Sequence, residues 1–320
     1  AVKSEIGFFN YAVAWALDLK AENRMGYFKK AHSTISNFAS FVFKRDLKLI
    51  DFINGGEKSD LPFENISVKT LNDFEHWLKA KELKTNTVYG NLKTLRTIYY
   101  KAENEEIFET RKNPFRRKKL VQAKTTKKAL SLEEIKLLEN CQLSDDQLEL
   151  ARDMFLFSFY CSGLRWGDVC TLRWANIEGD VIKVIPRKTI RTTNAVMKIA
   201  LHPKANSIIK KYRGDRGLRD WIFPLIEGEP EPNKIIGILG SKNAITNKLL
   251  KYVASTARVK KPISFHMARH SYATLAIQKN APLQVISQLL GHSDLKTTQV
   301  YLKELDNDVT NAAHLNILDY

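Results

Sequence analysis

The chain has 320 residues, which is long enough for two domains with cores of their own. Its 51 Lys and Arg residues outnumber its 35 Asp and Glu residues, so the formal net charge is +16 and the pI is about 9.6. This excess favours a polyanionic partner, either nucleic acid or an anionic membrane surface. No apolar run approaches the ~20 residues that span a bilayer and no signal peptide opens the chain, so membrane contact is the weaker alternative.

The cysteine content favours a reducing compartment. The three cysteines are Cys141, Cys161 and Cys170, an odd number with no C-x-x-C pair among them. Neither a disulfide framework nor a zinc ribbon is therefore predicted, and a cytoplasmic setting is the default expectation. Because the chain begins with Ala1 rather than Met, we also expect it to be part of a longer protein.

Apolar periodicity predicts helices through most of the first ~105 residues. One apolar stripe comprises Val68, Leu71, Phe74, Trp77 and Leu78, and a second comprises Val88, Leu92, Leu95, Ile98 and Tyr99. Lysines and arginines fill the opposite faces. Such a pattern usually marks only a solvated surface, so it does not by itself predict binding.

The stretch 111–128, RKNPFRRKKLVQAKTTKK, contains nine Lys or Arg residues and no acidic residue. With Pro114 near its start and little apolar periodicity, it is predicted to be an extended linker between domains. A merely solubilising linker is one alternative. Because the whole chain is basic, we favour a strap that lies along a phosphate backbone. The side chains expected to contact DNA are Arg116, Arg117, Lys118, Lys119 and Lys124.

A new domain is predicted to begin at Ser131, which forms a capping box with Glu134 ahead of a helical run. A second helix, about 146–161, ends near Gly163. The segments LRWANI, VIKVIPRK and AVMKIAL then alternate or run apolar between turns, which predicts a small three-stranded antiparallel sheet. Helices resume after Pro262.

The end of the chain carries further helix signals. Pro282 suits the first turn of a helix, Gly291 can stop that helix, and Ser293 can cap the next.

The sequence FHMARHSYATLA, residues 265–276, places His266, Arg269 and His270 on one helical face. Two histidines four residues apart could bind zinc, but the zinc hydrolase pattern needs Glu where Met267 stands, and Arg269 repels a dication. Histidine and arginine together can instead donate hydrogen bonds to the oxygens of a phosphate. A helix with two hydrogen-bonded, partly buried histidines is the plainest alternative.

Four more residues suit phosphate chemistry. In GLRWGDV, Arg165 follows the helix stop at Gly163 and lies at the start of a new helical turn. A cation there opposes the helix dipole, and an anion bound by both the arginine and the helix terminus would explain its presence. In RKT, Lys188 lies at the tip of the predicted hairpin between the second and third strands. In GHSDLKTTQVY, His292 follows a helix stop and Tyr301 lies nine residues further on.

The five motifs GLRxxD, KT, HMAR, LGHS and TTQVY, in this order, resemble the active site of the tyrosine recombinases, the family of phage and transposon integrases and chromosome-dimer resolvases. Residues 262–302 most resemble integrases of Bacteroides-type mobile elements. The resemblance implies a mainly α fold with a small antiparallel sheet, built as a two-domain DNA clamp. Its parts would be a helical core-binding domain (1–110), the basic linker (111–128), a mixed α/β catalytic domain (129–302) and a C-terminal tail (303–320).

The resemblance also implies a role for each motif residue. Tyr301 would attack the phosphodiester and form a 3′-phosphotyrosine. Arg165 and Arg269 would hold the non-bridging oxygens. Lys188 would protonate the leaving 5′ oxygen, although Arg187, Arg191 and Lys198 are nearby alternatives. His266 would assist as proton acceptor and oxygen ligand, and His292 would donate to a non-bridging oxygen. Asp168 would brace the site from behind, and His270 would support it.

With two guanidiniums in place of a metal, no cofactor is expected. The expected partners are double-stranded DNA with specific sites and further copies of the chain, in a tetramer on paired sites. Val309, Ala312, Ala313 and Ile317 form a short apolar stripe in the tail, which could dock on a neighbouring protomer or fold back on its own domain. We expect the protein to act in the bacterial cytoplasm, at the nucleoid.

Three other functions remain open at this stage. A non-catalytic helix-turn-helix module could bind DNA through residues 266–302, but it does not explain this order of polar residues. A type IB topoisomerase would use the same cleavage chemistry and reseal the same strand. A metallohydrolase at His266 and His270 is the most distant alternative.

Overall fold

The structure is a computed structural model and describes residues 6–123, 128–190, 194–292 and 294–302. The chain divides into two compact units, Ala1–Thr125 and Thr126–Tyr320. The division falls within the basic stretch 111–128. Lys124, Ser293 and the predicted tail, residues 303–320, lie outside the described residues.

The described part of the first unit is helical, as its apolar periodicity predicts. Its α-helices are α1 (Phe8–Ala21), α2 (Met25–Phe43), α3 (Leu49–Ile53), α4 (Val68–Ala80) and α5 (Thr85–Asn104). The two stripes seen in the sequence are the buried faces of α4 and α5. They close over an aromatic core in which Phe8, Phe38, Phe63 and Phe74 are fully buried and meet mostly edge to face.

The first part of the predicted linker belongs to this unit. Pro114–Arg116 forms a 3-10 helix, and Phe115 is 5% exposed, with its ring centroid 5.4 Å from that of Tyr99. Further along, Ala123 exchanges two hydrogen bonds with the Asn86 side chain on α5, at 2.9 and 3.1 Å. The prediction of an extended linker is therefore wrong at Pro114–Arg116, because burying Phe115 stabilises a folded path along the unit.

The second unit is built around α7. Its described helices are α6 (Leu132–Asn140), α7 (Asp146–Tyr160), α8 (Trp166–Cys170), α9 (Pro203–Lys210), α10 (Pro232–Thr256), α11 (His266–Gln278), α12 (Leu283–Leu289) and α13 (Leu295–Leu302). Every residue from 151 to 159 is buried, so α7 is the central helix. The predicted capping box of α6 is confirmed, since Ser131 and Glu134 each accept the other's backbone N–H.

The predicted antiparallel sheet is present with shorter strands, β1 (Ile177–Glu178), β2 (Val181–Val184) and β3 (Met197–Ala200), in the order β1-β2-β3. Ile182 lies opposite Ile177 and Ile199 and is fully buried. The segment LRWANI is mostly not a strand, because Trp174–Asn176 forms a 3-10 helix. The Asn176 side chain accepts from Arg173 N–H and donates to the Lys183 carbonyl, in place of ladder hydrogen bonds.

The prediction that helices resume only after Pro262 is wrong, since α9 and α10 come before it. Both begin with a proline, Pro203 and Pro232, at the first helical turn, where the missing N–H costs nothing. Gly237 and Gly240 weaken the helical pattern of α10. Burial of the C-terminal part of α10 in the core of the second unit compensates for this weak helical propensity. At α12, Pro282 is the N-cap residue rather than part of the first turn, and Gly291 follows the helix end as predicted.

The longest described helix, α10, has 25 residues and carries lysines along its length. None of the described helices combines the length with the apolar character that crossing a membrane would require.

Candidate active site

Arg269 is held in place by a glycine. Gly163 has a φ of +68°, and a Cβ at this position would lie 2.8 Å from the Cα of Arg269. The absent side chain lets the turn after α7 lie directly against α11. Arg269 is 3% exposed and donates to the Gly163 carbonyl at 2.9 Å and to the Leu290 carbonyl. Its guanidinium therefore joins α7, α11 and the end of α12.

Arg165 reaches the same end of α12. It precedes α8 as its N-cap residue and donates to the Gly291 carbonyl at 3.2 Å. The two guanidiniums thus bind consecutive carbonyls, those of Leu290 and Gly291. Each guanidinium has five N–H donors, more than the carbonyl contacts found among the described residues, so both can also donate to a ligand's oxygens.

The electrostatics of this pair favour an anion. Burial, together with the repulsion of the neighbouring Arg165, lowers the pKa of Arg269 to about 9. Burial also lowers the pKa of Arg165. The buried Arg269 and the half-buried Arg165 repel each other and lose hydration, and a phosphate bound by both would offset these costs.

Tyr301 lies on α13 and is 3% exposed. Its ring packs with Ala273, Ile277, Ile286 and Leu290 from α11 and α12. The Tyr301 hydroxyl is 2.8 Å from Nδ1 of His270. The charge of a Tyr301 phenolate would interact favourably with both Arg165 and Arg269. The tyrosine expected to be the nucleophile is therefore beside the two arginines expected to hold the phosphate.

His292 follows Gly291, whose φ is +59° and where a Cβ would collide with the Met197 side chain. The ring nitrogen Nδ1 of His292 is 2.8 Å from the Thr298 hydroxyl, and its backbone N–H donates to the Ser287 carbonyl at 3.0 Å. These contacts fix His292 between α12 and α13, one residue from the carbonyl that Arg165 binds.

A cleft of about 380 Å³ brings Lys188 and His266 together with Arg165. Its lining includes Arg165, Trp166, Lys188, Asn247 and His266. Lys188 is exposed in the turn that follows β2, and His266 is the first residue of α11. Trp166 packs edge to face on Phe265, with ring centroids 4.9 Å apart, and so forms a wall of the cleft.

Asp168 connects the arginine turn to the lysine turn. Its side chain is 2% exposed, and Oδ1 accepts the backbone N–H of Arg187, the residue before Lys188, at 2.8 Å. Oδ2 has no hydrogen-bond partner within the described part of the chain. Burial raises the pKa of this carboxyl group, and the arginines around it act in the opposite direction.

Two asparagines at this cleft were missed in the sequence. Asn243 and Asn247 line it from α10, and Asn247 Oδ1 accepts the N–H of Phe265 at 2.7 Å. That bond fixes the start of α11 and therefore His266. The available signal was a pair of asparagines four residues apart inside a helix, where asparagine is normally disfavoured.

The basic residues expected to contact DNA belong to the first unit and are not part of this cluster. Arg116, Arg117 and Lys119 are exposed. Lys118 differs, because its ammonium group contacts Glu75 and Asn72 at 2.5 and 2.6 Å and its side chain is only 11% exposed. Lys118 therefore attaches the linker to α4.

Comparison with known proteins places this cluster in a family. The model of the phage integrase family matches residues 128–308, more than half of the chain, and the phage integrase SAM-like domain matches residues 7–121. The chain belongs to the phage integrase family, the tyrosine recombinases.

Relatives of known name agree with this family. Tyrosine recombinase XerD of Rickettsia conorii is 28% identical and covers 88% of this chain and 93% of its own length. Tyrosine recombinase XerC of Natranaerobius thermophilus is 25% identical and covers 86% of this chain and 90% of its own length.

Solved structures share the fold. The Tn1549 transposon integrase in complex with transposon right end DNA has a TM-score of 0.64 at 17% identity, over 84% of this chain and 91% of that one. A lambda integrase tetramer bound to a Holliday junction has a TM-score of 0.60 at 18% identity, over 92% of this chain and 79% of that one. The mainly helical fold with its small sheet is therefore the expected one.

Proposed function

We propose that this protein cuts and rejoins duplex DNA at specific sites through a covalent 3′-phosphotyrosine, without a metal ion. The observation that carries the proposal is the placement of the buried Tyr301 within electrostatic reach of two guanidiniums, the buried Arg269 and the half-buried Arg165. A phosphodiester resists attack because it is anionic and its leaving alkoxide is poor. This cluster supplies the nucleophile and positive charge in the same place.

Each residue has a role that its position supports. Arg165 and Arg269 bind the non-bridging oxygens and stabilise the charge that develops at phosphorus. His292, fixed beside them, donates to a non-bridging oxygen. Lys188 protonates the leaving 5′ oxygen, and its place on an exposed turn of the cleft lets it reach a bound backbone. Asp168 supports the lysine turn from behind through Arg187.

The test is covalent trapping with Tyr301→Phe, which removes only the attacking oxygen. Folding and DNA binding should persist while the covalent protein–DNA band disappears from denaturing gels. The wild-type band should be unaffected by EDTA, because guanidiniums take the part of a metal. A covalent band from the Tyr301→Phe variant, or clear inhibition by EDTA, would contradict the proposal.

The partner is double-stranded DNA, which both units and the basic linker between them contact. The exposed Arg116, Arg117 and Lys119 support contact with the phosphate backbone, whereas Lys118 acts within the protein. Lys124 completes the proposed set of contacts. Action on DNA places the protein in the bacterial cytoplasm, at the nucleoid.

Exchange of strands between two sites needs four protomers, so the protein assembles as a tetramer on paired sites. Residues 303–320 link neighbouring protomers through the apolar stripe of Val309, Ala312, Ala313 and Ile317. A groove of about 400 Å³ between the turn before β3 and α12 supports this arrangement. Its apolar side chains Val196 and Val285 are 54% and 43% exposed, which suits a short apolar helix from a second copy.

A further inference from the structure

The Tyr301 hydroxyl has a specific basic neighbour. His270, one turn along α11 from His266, places Nδ1 2.8 Å from the tyrosine oxygen. The Tyr301 ring is buried among apolar side chains of α11 and α12, so this oxygen has few positions open to it. The family resemblance instead implies that His266 is the proton acceptor and that His270 only supports the site.

The two histidines form a short connection to the cleft. The His266 and His270 rings meet edge to face with centroids 4.5 Å apart. His266 is exposed and lines the cleft that also holds Lys188 and Arg165. His270 thus touches the reacting oxygen, whereas His266 lies between His270 and the cleft.

Other nearby groups are less suited to take a proton from Tyr301. Arg165 and Arg269 have donors only. The Asp168 carboxylate accepts the Arg187 N–H through Oδ1, and within the described residues it makes no hydrogen bond to the tyrosine. Nδ1 of His292 is engaged with the Thr298 hydroxyl. Among these side chains, His270 is the base in hydrogen-bond contact with the nucleophile.

We propose that His270 is the proton acceptor for the Tyr301 hydroxyl during DNA cleavage. The assignment rests on the strand-cleavage function proposed above. As Tyr301 Oη bonds to phosphorus, its proton moves to His270 Nδ1 and the bond from phosphorus to the 5′ oxygen breaks. The leaving oxygen takes a proton from Lys188. The protein therefore gains one proton at His270 and loses one at Lys188. For this step the neutral His270 ring carries its hydrogen on Nε2, and rejoining returns both protons by the same paths.

The first test separates proton transfer from mere positioning. In His270→Asn, the amide oxygen can still accept a hydrogen bond from Tyr301 but cannot take its proton at neutral pH. Single-turnover formation of the covalent complex on a nicked DNA substrate should fall about 10²-fold or more, the contribution typical of a general base. His270→Phe should fall at least as far. His76→Asn, an exposed histidine on α4, is the matched control and should react like the wild type.

The second test uses a substrate whose scissile 5′ oxygen is replaced by sulfur, a leaving group that needs no protonation. Lys188→Ala should recover most of its cleavage rate on this substrate, whereas His270→Asn should remain slow because its defect is on the nucleophile side. Circular dichroism and DNA-binding measurements confirm that each variant is folded.

The outcomes separate the two proposals. Wild-type rates for His270→Asn, or its rescue by the sulfur substrate, would overturn the role of His270 and leave strand cleavage intact. Loss of wild-type covalent cleavage, or its survival in Tyr301→Phe, would instead overturn the proposed function.

Discussion

At the residue scale, two glycines decide whether the site can form. Gly163 allows the α7–α8 turn to pack against the backbone of Arg269. Gly291, which directly precedes His292, leaves room for the Met197 side chain. Both have positive φ, so any other residue would face backbone strain as well as a collision. The arginine and histidine motifs therefore depend on the residues that precede them.

We expect Gly163→Ala to damage both stability and cleavage. Left-handed backbone alone costs an alanine roughly 1–2 kcal/mol. The collision with Arg269 adds to that cost and moves the guanidinium, so covalent cleavage should fall on the order of 10²-fold, as when a transition-state donor is lost. Denaturant unfolding and covalent trapping would measure the two effects.

Gly179→Ala is the matched control, because Gly179 also has positive φ but a Cβ there meets nothing within 4 Å. Its free energy of unfolding should fall only by the cost of the left-handed backbone, and its cleavage rate should equal that of the wild type. If the two variants cleave DNA equally well, close packing at Gly163 does not position Arg269.

At the scale of elements, Asp168 couples α8 to the turn after β2 through the Arg187 N–H. The lysine lies on an exposed turn and needs such a support, since a mobile side chain transfers protons poorly. Asp168→Ala removes the acceptor, and we expect cleavage to fall roughly tenfold, less than the roughly 10²–10⁴-fold that a general acid contributes, because Lys188 itself remains. The loss should be largely rescued by the 5′-sulfur substrate.

Asp168→Asn is the informative partner variant because it keeps an acceptor oxygen and removes the charge. Cleavage close to the wild-type rate is expected for it. An equal defect in both variants would show that the carboxylate acts through its charge on Arg165 and Arg269 rather than through Arg187.

The linker is a second element whose parts differ. Replacing Arg116, Arg117 and Lys119 with Ala should weaken binding at all DNA sequences. It should also flatten the plot of log K against log salt by about 0.9 per lost phosphate contact. An unchanged slope would mean that these side chains do not touch the backbone.

Lys118→Ala serves as an internal comparison. Because its ammonium group is bound to Glu75 and Asn72, it should lower the stability of the first unit and leave the salt slope unchanged. A reduced slope for this variant would place Lys118 on DNA instead.

At the scale of the whole molecule, assembly should depend on residues 303–320. Truncation after Glu304 keeps Tyr301 and all the proposed catalytic residues. Binding to a single site and some cleavage should therefore survive, while cooperative assembly and recombination are lost. Native gels and light scattering on paired sites would detect the tetramer.

A groove variant gives an independent test of the same idea. Val285→Asp places a charge in the exposed apolar groove beside α12 and should reproduce the assembly defect in the full-length chain. Tetramers formed by the truncated protein would show that the tail is not the link between protomers.

The sequence by itself was enough to predict the family of the protein and the residues of its candidate active site. Motif residues such as Arg165, Arg269, His292 and Tyr301 were recognisable because phosphoryl chemistry needs particular side chains and because their order along the chain resembles that of a known family. The helices α4 to α7 followed from strong periodicity and capping, which are local properties. By contrast, α9 and α10 were missed because prolines and glycines weaken the local pattern while burial in the core stabilises the helices.

Only the tertiary structure decided how these residues meet. The contact of His270 with Tyr301 spans 31 residues, and the bonds from the arginines to Gly163, Leu290 and Gly291 span 21 to 126. The same holds for Lys118, which binds Glu75, 43 residues away, within the first unit. Spacing along a chain fixes neighbours within a turn or two, whereas the partner of a buried polar group depends on which elements pack together.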